Sequence, residues 1–284
     1  MTKSAQFYRV RRHTGTVLTY AGIIVALLFF LMPFAWILTT SLKGNEDYFT
    51  FPPVWIPTEP SLIHFQGLFT RGNGGLYFYN SVMISGLSMF AALFFSVPTA
   101  YSIARFRFGG SWFTNFLLLL RTLPAIALVI PIYVIYRQIG FTNNYFGLIL
   151  LYTVFYIPFA VWLLIGFIRD VPREIEEAAF IDGCSYLQAL FRVVLPVILP
   201  GLAVVALFAF INTWNEFLFA ILLTGAETKT MMVLVSSYTT GSPTDAFFGE
   251  ASASVVLGIL PAFLVAFALQ RYLVKGLSLG AVKG

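Results

Sequence analysis

Residues 173–200, REIEEAAFIDGCSYLQALFRVVLPVILP, form the only long run between the hydrophobic blocks of this chain that is charged and has a helical composition. Asp170 and Pro172 precede the run and are typical of a helix start, because proline fits the first turn, where its missing N–H is no loss. Gly183 predicts a break, since glycine adopts backbone conformations that other residues avoid. Beyond it, a second short helix is indicated by apolar residues at i, i+3, i+4 and i+7 spacing, namely Leu187, Leu190, Phe191 and Val194.

The composition of the chain is typical of a membrane protein. Of the 284 residues, 59% are hydrophobic and only 10% are charged, and the mean hydropathy is +0.85. An ordinary soluble domain has roughly a quarter of its residues charged, so a soluble chain of this size could not bury so much apolar surface. The single cysteine, Cys184, excludes an intramolecular disulfide. We therefore expect a polytopic membrane protein.

Six hydrophobic blocks reach the roughly 20 residues that a helix needs to cross the hydrocarbon core. They are residues 17–39, 79–104, 112–136, 145–168, 197–224 and 251–269. The first block is longer than the apolar core of a signal peptide, which is about 7–15 residues. We interpret it as an uncleaved helix, so the blocks predict six transmembrane helices.

The lysines and arginines outside these blocks predict the orientation, because cytoplasmic segments carry an excess of them. With the N-terminus inside, twelve fall on the inner side and four on the outer side, the four being Lys43, Arg71, Arg137 and Lys229. Both termini and residues 173–200 are then cytoplasmic. The net charge of +5 follows this topology, so we expect no nucleic-acid partner.

The fifth block contains polar residues at helical spacing. Asn212, Asn215 and Glu216 stand 3–4 residues apart, and Trp214 lies among them. Unpaired polar groups are costly in hydrocarbon, so these side chains should face other helices or a cavity. Two interpretations stay open: contacts that only hold the helices together, or a pathway for a solute with hydroxyl groups and sugar rings.

Arg121 is a charged residue within the third block. A charge at this depth predicts a functional site, and Glu216 is a possible partner. The alternative is that the helix is offset and Arg121 extends to the membrane surface.

Motifs for catalysis and metal binding are missing from the sequence. There is no G-x-x-x-x-G-K-[ST] phosphate loop, no Cys/His cluster with metal spacing and no arguable Ser/His/Asp grouping. We expect no enzyme activity and no cofactor bound by this chain. Energy for transport must come from a partner or from an ion gradient.

The spacing of the charged segment resembles the EAA loop of ABC-importer permeases. In that family the loop docks into a groove on a cytoplasmic ATPase, which binds the ATP and Mg²⁺. The resemblance implies an ATPase-coupling role for Glu177, Ala178, Ala179, Asp182, Gly183, Leu195 and Pro196.

The resemblance extends to the carbohydrate-uptake branch of these permeases. Residues 212–224, NTWNEFLFAILLT, are similar to the corresponding helix in that branch, and residues 270–284, QRYLVKGLSLGAVKG, are similar to its ending. The smaller permease of the maltose transporter is the most similar in size and ending. Its tail contacts the ATPase, which implies the same role for Gly276, Gly280, Lys283 and Gly284. A solute pathway is implied for Arg121, Asn212, Trp214, Asn215 and Glu216.

The family implies an all-α polytopic membrane protein with six transmembrane helices in the type I ABC importer (MetI-like) permease fold. We expect a tail, first helix and outer loop at 1–78, a permease core at 79–272 with the coupling loop at 170–196, and a cytoplasmic tail at 273–284. The implied location is the cytoplasmic (inner) membrane of a bacterium or archaeon.

The family also implies partners and a mechanism. The partners are a second homologous permease, two ATP-binding subunits, an extracytoplasmic solute-binding protein, membrane lipid and a carbohydrate or polyol solute. The implied mechanism is alternating access. A stand-alone secondary transporter or channel that uses Arg121 and Glu216 as a coupling pair is the alternative.

Overall fold

The computed structural model describes the backbone of residues 3–238 and 245–281, and the side chains at 16–110, 112–238 and 248–270. All regular structure in these ranges is helical, which confirms the predicted all-α class. The α-helices are α1 (Lys3–Ser41), α2 (Ile63–Thr70), α3 (Gly74–Phe106), α4 (Gly110–Thr122), α5 (Ala125–Gln138), α6 (Tyr145–Arg169), α7 (Arg173–Ile181), α8 (Tyr186–Ala189), α9 (Leu195–Val197), α10 (Leu199–Trp214), α11 (Leu218–Leu223), α12 (Met231–Ser237) and α13 (Asp245–Ala281). A 3-10 turn at Asn45–Asp47 follows α1, and a π-helical turn at Leu190–Val194 joins α8 to α9.

The chain divides into two compact units, of which the first comprises residues 1–70 and 240–256. Its loop after α1 is held by a buried cluster in which the Tyr48 hydroxyl lies 2.9 Å from His64 Nε2, itself 2.9 Å from the Lys43 carbonyl oxygen. The Lys43 ammonium lies 4.0 Å from the ring centre of Trp36. Burial lowers the pKa of Lys43, and the nearby Asp47 carboxylate partly opposes this shift. The loop after α1 is therefore an ordered element.

The second unit comprises residues 71–239 and 257–284 and is built around α3 and α6. Small residues on α3, such as Ala92, Ser96 and Ala100, are fully buried. They allow close approach of neighbouring helices, as is typical of membrane helix packing. The core continues through buried residues of α6 and α10, including Leu164 and Val205.

Among the residues that the structure describes, four helices are long and apolar enough to cross a membrane: the Thr16–Ser41 part of α1, α3, α6 and the Phe248–Gln270 part of α13. The number rises to six if each of two bent helix pairs is one span. The third block does not form one continuous helix, because α4 and α5 meet at an angle of 87°. Leu123 is extended there, with ψ 123°, since the residue before a proline, here Pro124, disfavours the helical conformation.

The fifth block is also interrupted. Helix α10 ends at Trp214 and α11 begins at Leu218, so residues 215–217 separate two helices where one continuous helix was predicted. A second bend of 83° separates Tyr186–Val197 from α10. Because of these interruptions, Arg121 lies in the last turn of α4 and Glu216 lies between α10 and α11, so neither is in a helix interior.

Candidate functional site

Helix α7 ends in a glycine turn at the position that the sequence predicts. Gly183 has φ +85°. Its N–H donates to the Phe180 carbonyl oxygen at 3.0 Å, and the Cys184 N–H donates to that of Ala179 at 3.0 Å. This pair of bonds defines a Schellman motif, in which a left-handed residue closes the helix. The turn therefore requires a positive φ at Gly183.

The chain resumes as α8, whose start is fixed by a capping box. The Ser185 hydroxyl accepts from the Gln188 N–H at 3.4 Å, and the Gln188 side chain accepts from the Ser185 N–H at 2.8 Å. The predicted apolar stripe is only half buried. Leu190 and Val194 are buried, whereas Leu187 and Phe191 are 64% and 54% exposed.

The predicted coupling residues fall mostly on an exposed surface. Glu177, Ala178, Asp182, Gly183 and Pro196 are exposed, Leu195 is half-buried and Ala179 is buried. Ile181 lies beside them and is 87% exposed. We define the coupling surface as Glu177, Ala178, Ile181, Asp182 and Leu187. An exposed isoleucine between two carboxylates gives a partner protein both an apolar and an acidic contact.

Glu176 is the buried glutamate of α7 and was not among the predicted site residues. Its Oε2 accepts from the Tyr101 hydroxyl at 2.9 Å, and its Oε1 accepts from Arg105 Nε at 2.6 Å. Arg105 Nη2 also donates to the Val171 carbonyl oxygen at 2.9 Å. The i, i+3 spacing of Glu176 and Ala179, which puts both on one face of α7, was the available signal.

A cavity of about 220 Å³ lies in the second unit. It is lined by Arg121, Ala125, Tyr152, Phe155, Tyr156, Asn212, Thr213, Glu216 and Phe219. The structure thus brings together Arg121, Asn212 and Glu216. Arg121 is more than 90 residues away from the other two along the chain. Tyrosine rings and polar groups in one cavity can bind a polar solute by stacking and hydrogen bonding.

Glu216 is bound by donors of its own chain. The Tyr152 hydroxyl donates to Oε2 at 2.5 Å, the Phe219 N–H donates to Oε1 at 2.8 Å, and the Ala220 N–H donates to Oε2 at 3.1 Å. The carboxylate therefore caps the start of α11. Arg121 forms no ion pair with Glu216 in the described part of the chain, so the possible pairing of these two residues is not present. Its guanidinium carbon lies 4.7 Å from the ring centre of Phe159.

Two predicted pathway residues lie away from this cavity. Trp214 is fully buried, donates from Nε1 to the Gly258 carbonyl oxygen at 2.8 Å and stacks on Phe210. This packing corrects the prediction that Trp214 faces a solute. Asn215 is exposed at the break after α10 and is not among the lining residues.

The predicted tail contacts are partly covered by the structure. Gly276 and Gly280 lie in the last part of α13, whose backbone is helical to Ala281. Lys283 and Gly284 lie outside the described residues.

Comparison with known proteins gives consistent matches along nearly the whole chain. Residues 92–279 match the family model described as "binding-protein-dependent transport system inner membrane component". The sulfoquinovosyl glycerol transport system permease protein SmoH of Agrobacterium fabrum is 32% identical, over 95% of each chain. The diacetylchitobiose uptake system permease protein DasC of Streptomyces coelicolor is 32% identical, over 99% of this chain and 100% of the relative.

A solved structure shows the same fold. A chain of a bacterial ABC transporter involved in the import of the acidic polysaccharide alginate matches with a TM-score of 0.76, at 20% identity, over 96% of this chain and 98% of that chain. At this identity the match supports the arrangement of helices.

Proposed function

Because this chain belongs to the family of binding-protein-dependent transport system inner membrane components, we propose that it imports a sugar, oligosaccharide or polyol by alternating access, driven by a separate ATPase. The chain is a multi-pass inner-membrane permease of the carbohydrate ABC importers. The observation that carries the proposed ATPase contact is the exposed coupling surface, with Ile181 at its centre.

Docking of the ATPase on this surface is tested with a matched pair of exposed apolar residues. Ile181 is 87% exposed, and Phe51 in the first outer loop is 96% exposed. Because burying an isoleucine side chain is worth about 1.5–3 kcal/mol, Ile181→Glu should weaken the ATPase contact roughly 10- to 150-fold. The fold should tolerate the change, since the side chain packs little within this chain.

The measurement is co-purification of an ATP-hydrolysing subunit from solubilised membranes. We expect the subunit with the wild type and with Phe51→Glu, and its loss with Ile181→Glu. Retention of the subunit by Ile181→Glu would place the contact elsewhere. No ATPase with a well-folded wild type would contradict ATP-driven import.

We extend this proposal to the complete importer. We place α4 with α5 across the membrane as one span and α10 with α11 as another, and we keep α8 and α9 at the cytoplasmic surface. Together with the four long helices this gives six spans with both termini in the cytoplasm. The proposed partners are a second homologous permease, two ATP-binding subunits that hold ATP and Mg²⁺, and an extracytoplasmic solute-binding protein. The proposed ATPase contacts are the coupling residues Glu177, Ala178, Asp182, Gly183, Leu195 and Pro196 and the tail residues Gly276, Gly280, Lys283 and Gly284. The predicted coupling residue Ala179 is buried, so its proposed role is to pack α7 within this chain.

The cavity is the proposed solute pathway, with Arg121 and Asn212 as the polar contacts that remain available. Glu216 already accepts three hydrogen bonds, so its main role is to hold the cavity wall. The five donors of a guanidinium suit the hydroxyl and carboxylate oxygens of sugars. Asn212 donates from Nδ2 to the Phe208 carbonyl oxygen at 2.8 Å, which leaves its Oδ1 as an acceptor.

Replacement of Arg121 tests the pathway. Hydrogen bonds from a charged group are worth about 1.5–3 kcal/mol, so Arg121→Gln should lower solute uptake roughly 10- to 150-fold. Arg137→Gln is the control, because Arg137 is an exposed arginine in the last turn of α5 and does not line the cavity. Equal amounts of assembled complex with normal uptake in Arg121→Gln would refute the pathway role.

The ion-driven carrier is the weaker candidate. It needs a charge pair that can exchange a proton or an ion, and Arg121 and Glu216 are held by different groups. Uptake that persists after ATP depletion would favour it.

A further inference from the structure

Two adjacent glutamates of α7 have opposite environments. Glu177 is exposed on the coupling surface, whereas the Glu176 side chain is only 5% exposed and is paired with Arg105, which is 8% exposed. Successive residues on a helix point about 100° apart, so one glutamate can face a partner while the other faces the interior. The function proposed above uses Glu177 and leaves the buried glutamate without a role.

The groups that bind Glu176 come from the end of the membrane-spanning helix α3. Tyr101 and Arg105 are four residues apart and therefore lie on one face of α3. The Tyr101 hydroxyl and Arg105 Nε occupy separate oxygens of the carboxylate. Arg105 also donates to the Val171 carbonyl oxygen, which lies two residues before α7. Arg105 therefore links α3 both to the segment that precedes α7 and to the Glu176 side chain.

Side chains, rather than close backbone packing, connect α7 to α3. The α7 backbone packs against α8 and the π-helical turn. A second side-chain link runs through Tyr186, whose ring contacts Phe180 of α7 at 4.9 Å and Phe106 of α3 at 5.2 Å between centroids. A small cavity of about 120 Å³ lies among these residues. These side-chain contacts are therefore a direct route by which a displacement of α7 can reach α3.

We propose that Glu176, Arg105 and Tyr101 are positioning residues that transmit the movement of α7 to α3. Glu177 and its exposed neighbours contact the ATPase. Through its hydrogen bonds with Tyr101 and Arg105, Glu176 transmits the displacement of α7 to α3. This inference rests on the proposed function, because it assumes that an ATPase moves α7. It assigns separate steps to the two glutamates: docking to Glu177 and transmission to Glu176.

The test uses the complete importer, purified from its own membranes and reconstituted in proteoliposomes. The readout is solute transported per ATP hydrolysed, together with the amount of ATPase that co-purifies. Glu176→Gln and Arg105→Gln should keep the ATPase bound but lower the transport-to-hydrolysis ratio at least fivefold. Glu177→Gln should instead reduce the bound ATPase. Arg107→Gln is the control for Arg105→Gln, because Arg107 is an exposed arginine at the same helix end.

Tyr101→Phe keeps the test decisive if the charge variants fail to assemble. It removes one hydrogen bond and leaves the ion pair, so the complex should form and the ratio should fall about twofold. An unchanged ratio in intact Glu176→Gln or Tyr101→Phe complexes would overturn the proposal, as would loss of the ATPase from Glu176→Gln to the extent seen with Glu177→Gln. A wild type without any ATPase would overturn the proposed function itself, and the transmission role with it.

Discussion

The turn at Gly183 allows a prediction that depends on backbone conformation alone. A Cβ atom added at Gly183 would meet nothing within 4 Å, but the residue has φ +85°. A residue with a side chain is less stable in the left-handed conformation by about 1–2 kcal/mol. Gly183→Ala should therefore lower the population of the Schellman turn roughly 5- to 30-fold relative to competing loop conformations.

Because a ligand that binds only one conformation loses apparent affinity in proportion to its population, the affinity for the ATPase subunit should fall by up to the same factor. Titration of the purified permease in nanodiscs with the ATPase subunit measures it. Asparagine tolerates the left-handed region better than alanine, and β-branched valine tolerates it worse. The expected order of affinity is glycine, asparagine, alanine, valine.

The control is Gly86→Ala on α3, a position that also has open space around its Cβ and no positive φ. It should leave the affinity within a factor of about two, because alanine is favoured over glycine in a helix. An asparagine variant at position 183 that binds no better than the valine variant would refute the conformational explanation. So would a Gly183→Ala variant with wild-type affinity.

Three further predictions concern stability. Gly201→Val should lower the midpoint of thermal denaturation, because a Cβ at Gly201 would overlap the ring of Phe167, and overpacking costs about 1–3 kcal/mol. Trp214→Phe should lower the free energy of unfolding by about 1–3 kcal/mol in denaturant titration, since it removes the indole N–H that donates to the Gly258 carbonyl oxygen and makes a fully buried side chain smaller. Burial raises the pKa of Tyr48 to about 12, and the negative charge of Asp47 contributes to the same shift. Its contribution to stability should be fully present below pH 10 and lost as the pH rises to 12; tyrosinate absorbance of the wild type minus Tyr48→Phe measures that ionisation.

Local signals in the sequence were sufficient for α7. Pro172 precedes its first residue, and Gly183 follows the helix at the left-handed position. Both effects depend on the backbone preferences of single residues, which no distant contact has to supply. This is why the start of α7 and its glycine turn could be predicted.

Prolines did not allow the helix breaks to be predicted. Pro98, Pro131 and Pro158 lie inside continuous helices, whereas Pro124 stands at an 87° bend. Membrane helices tolerate proline wherever neighbouring groups bind the freed carbonyl oxygens. The outcome at each proline therefore depends on tertiary contacts, and a count of apolar residues cannot detect it.

The buried ion pair was not predictable for a related reason. Arg105 and Glu176 are 71 positions apart, and the charges of α7 alone do not show which glutamate faces inward. Periodicity could place Glu176 with Ala179 on one face, but only the packing of α7 near α3 identifies that face as buried.

The separation of Arg121 from Glu216 follows from the two helix breaks. In the sequence both residues are charges within hydrophobic blocks, for which pairing with each other was one possibility, and extension to the membrane surface was the alternative for Arg121. In the structure Arg121 lies in the last turn of α4, and Glu216 precedes α11 and accepts from its first free N–H groups. The C-terminal end of a helix carries partial negative charge and the N-terminal end partial positive charge. The end of α4 thus supplies partial negative charge near Arg121, and the start of α11 supplies partial positive charge near Glu216. The two side chains can therefore line one cavity without pairing with each other.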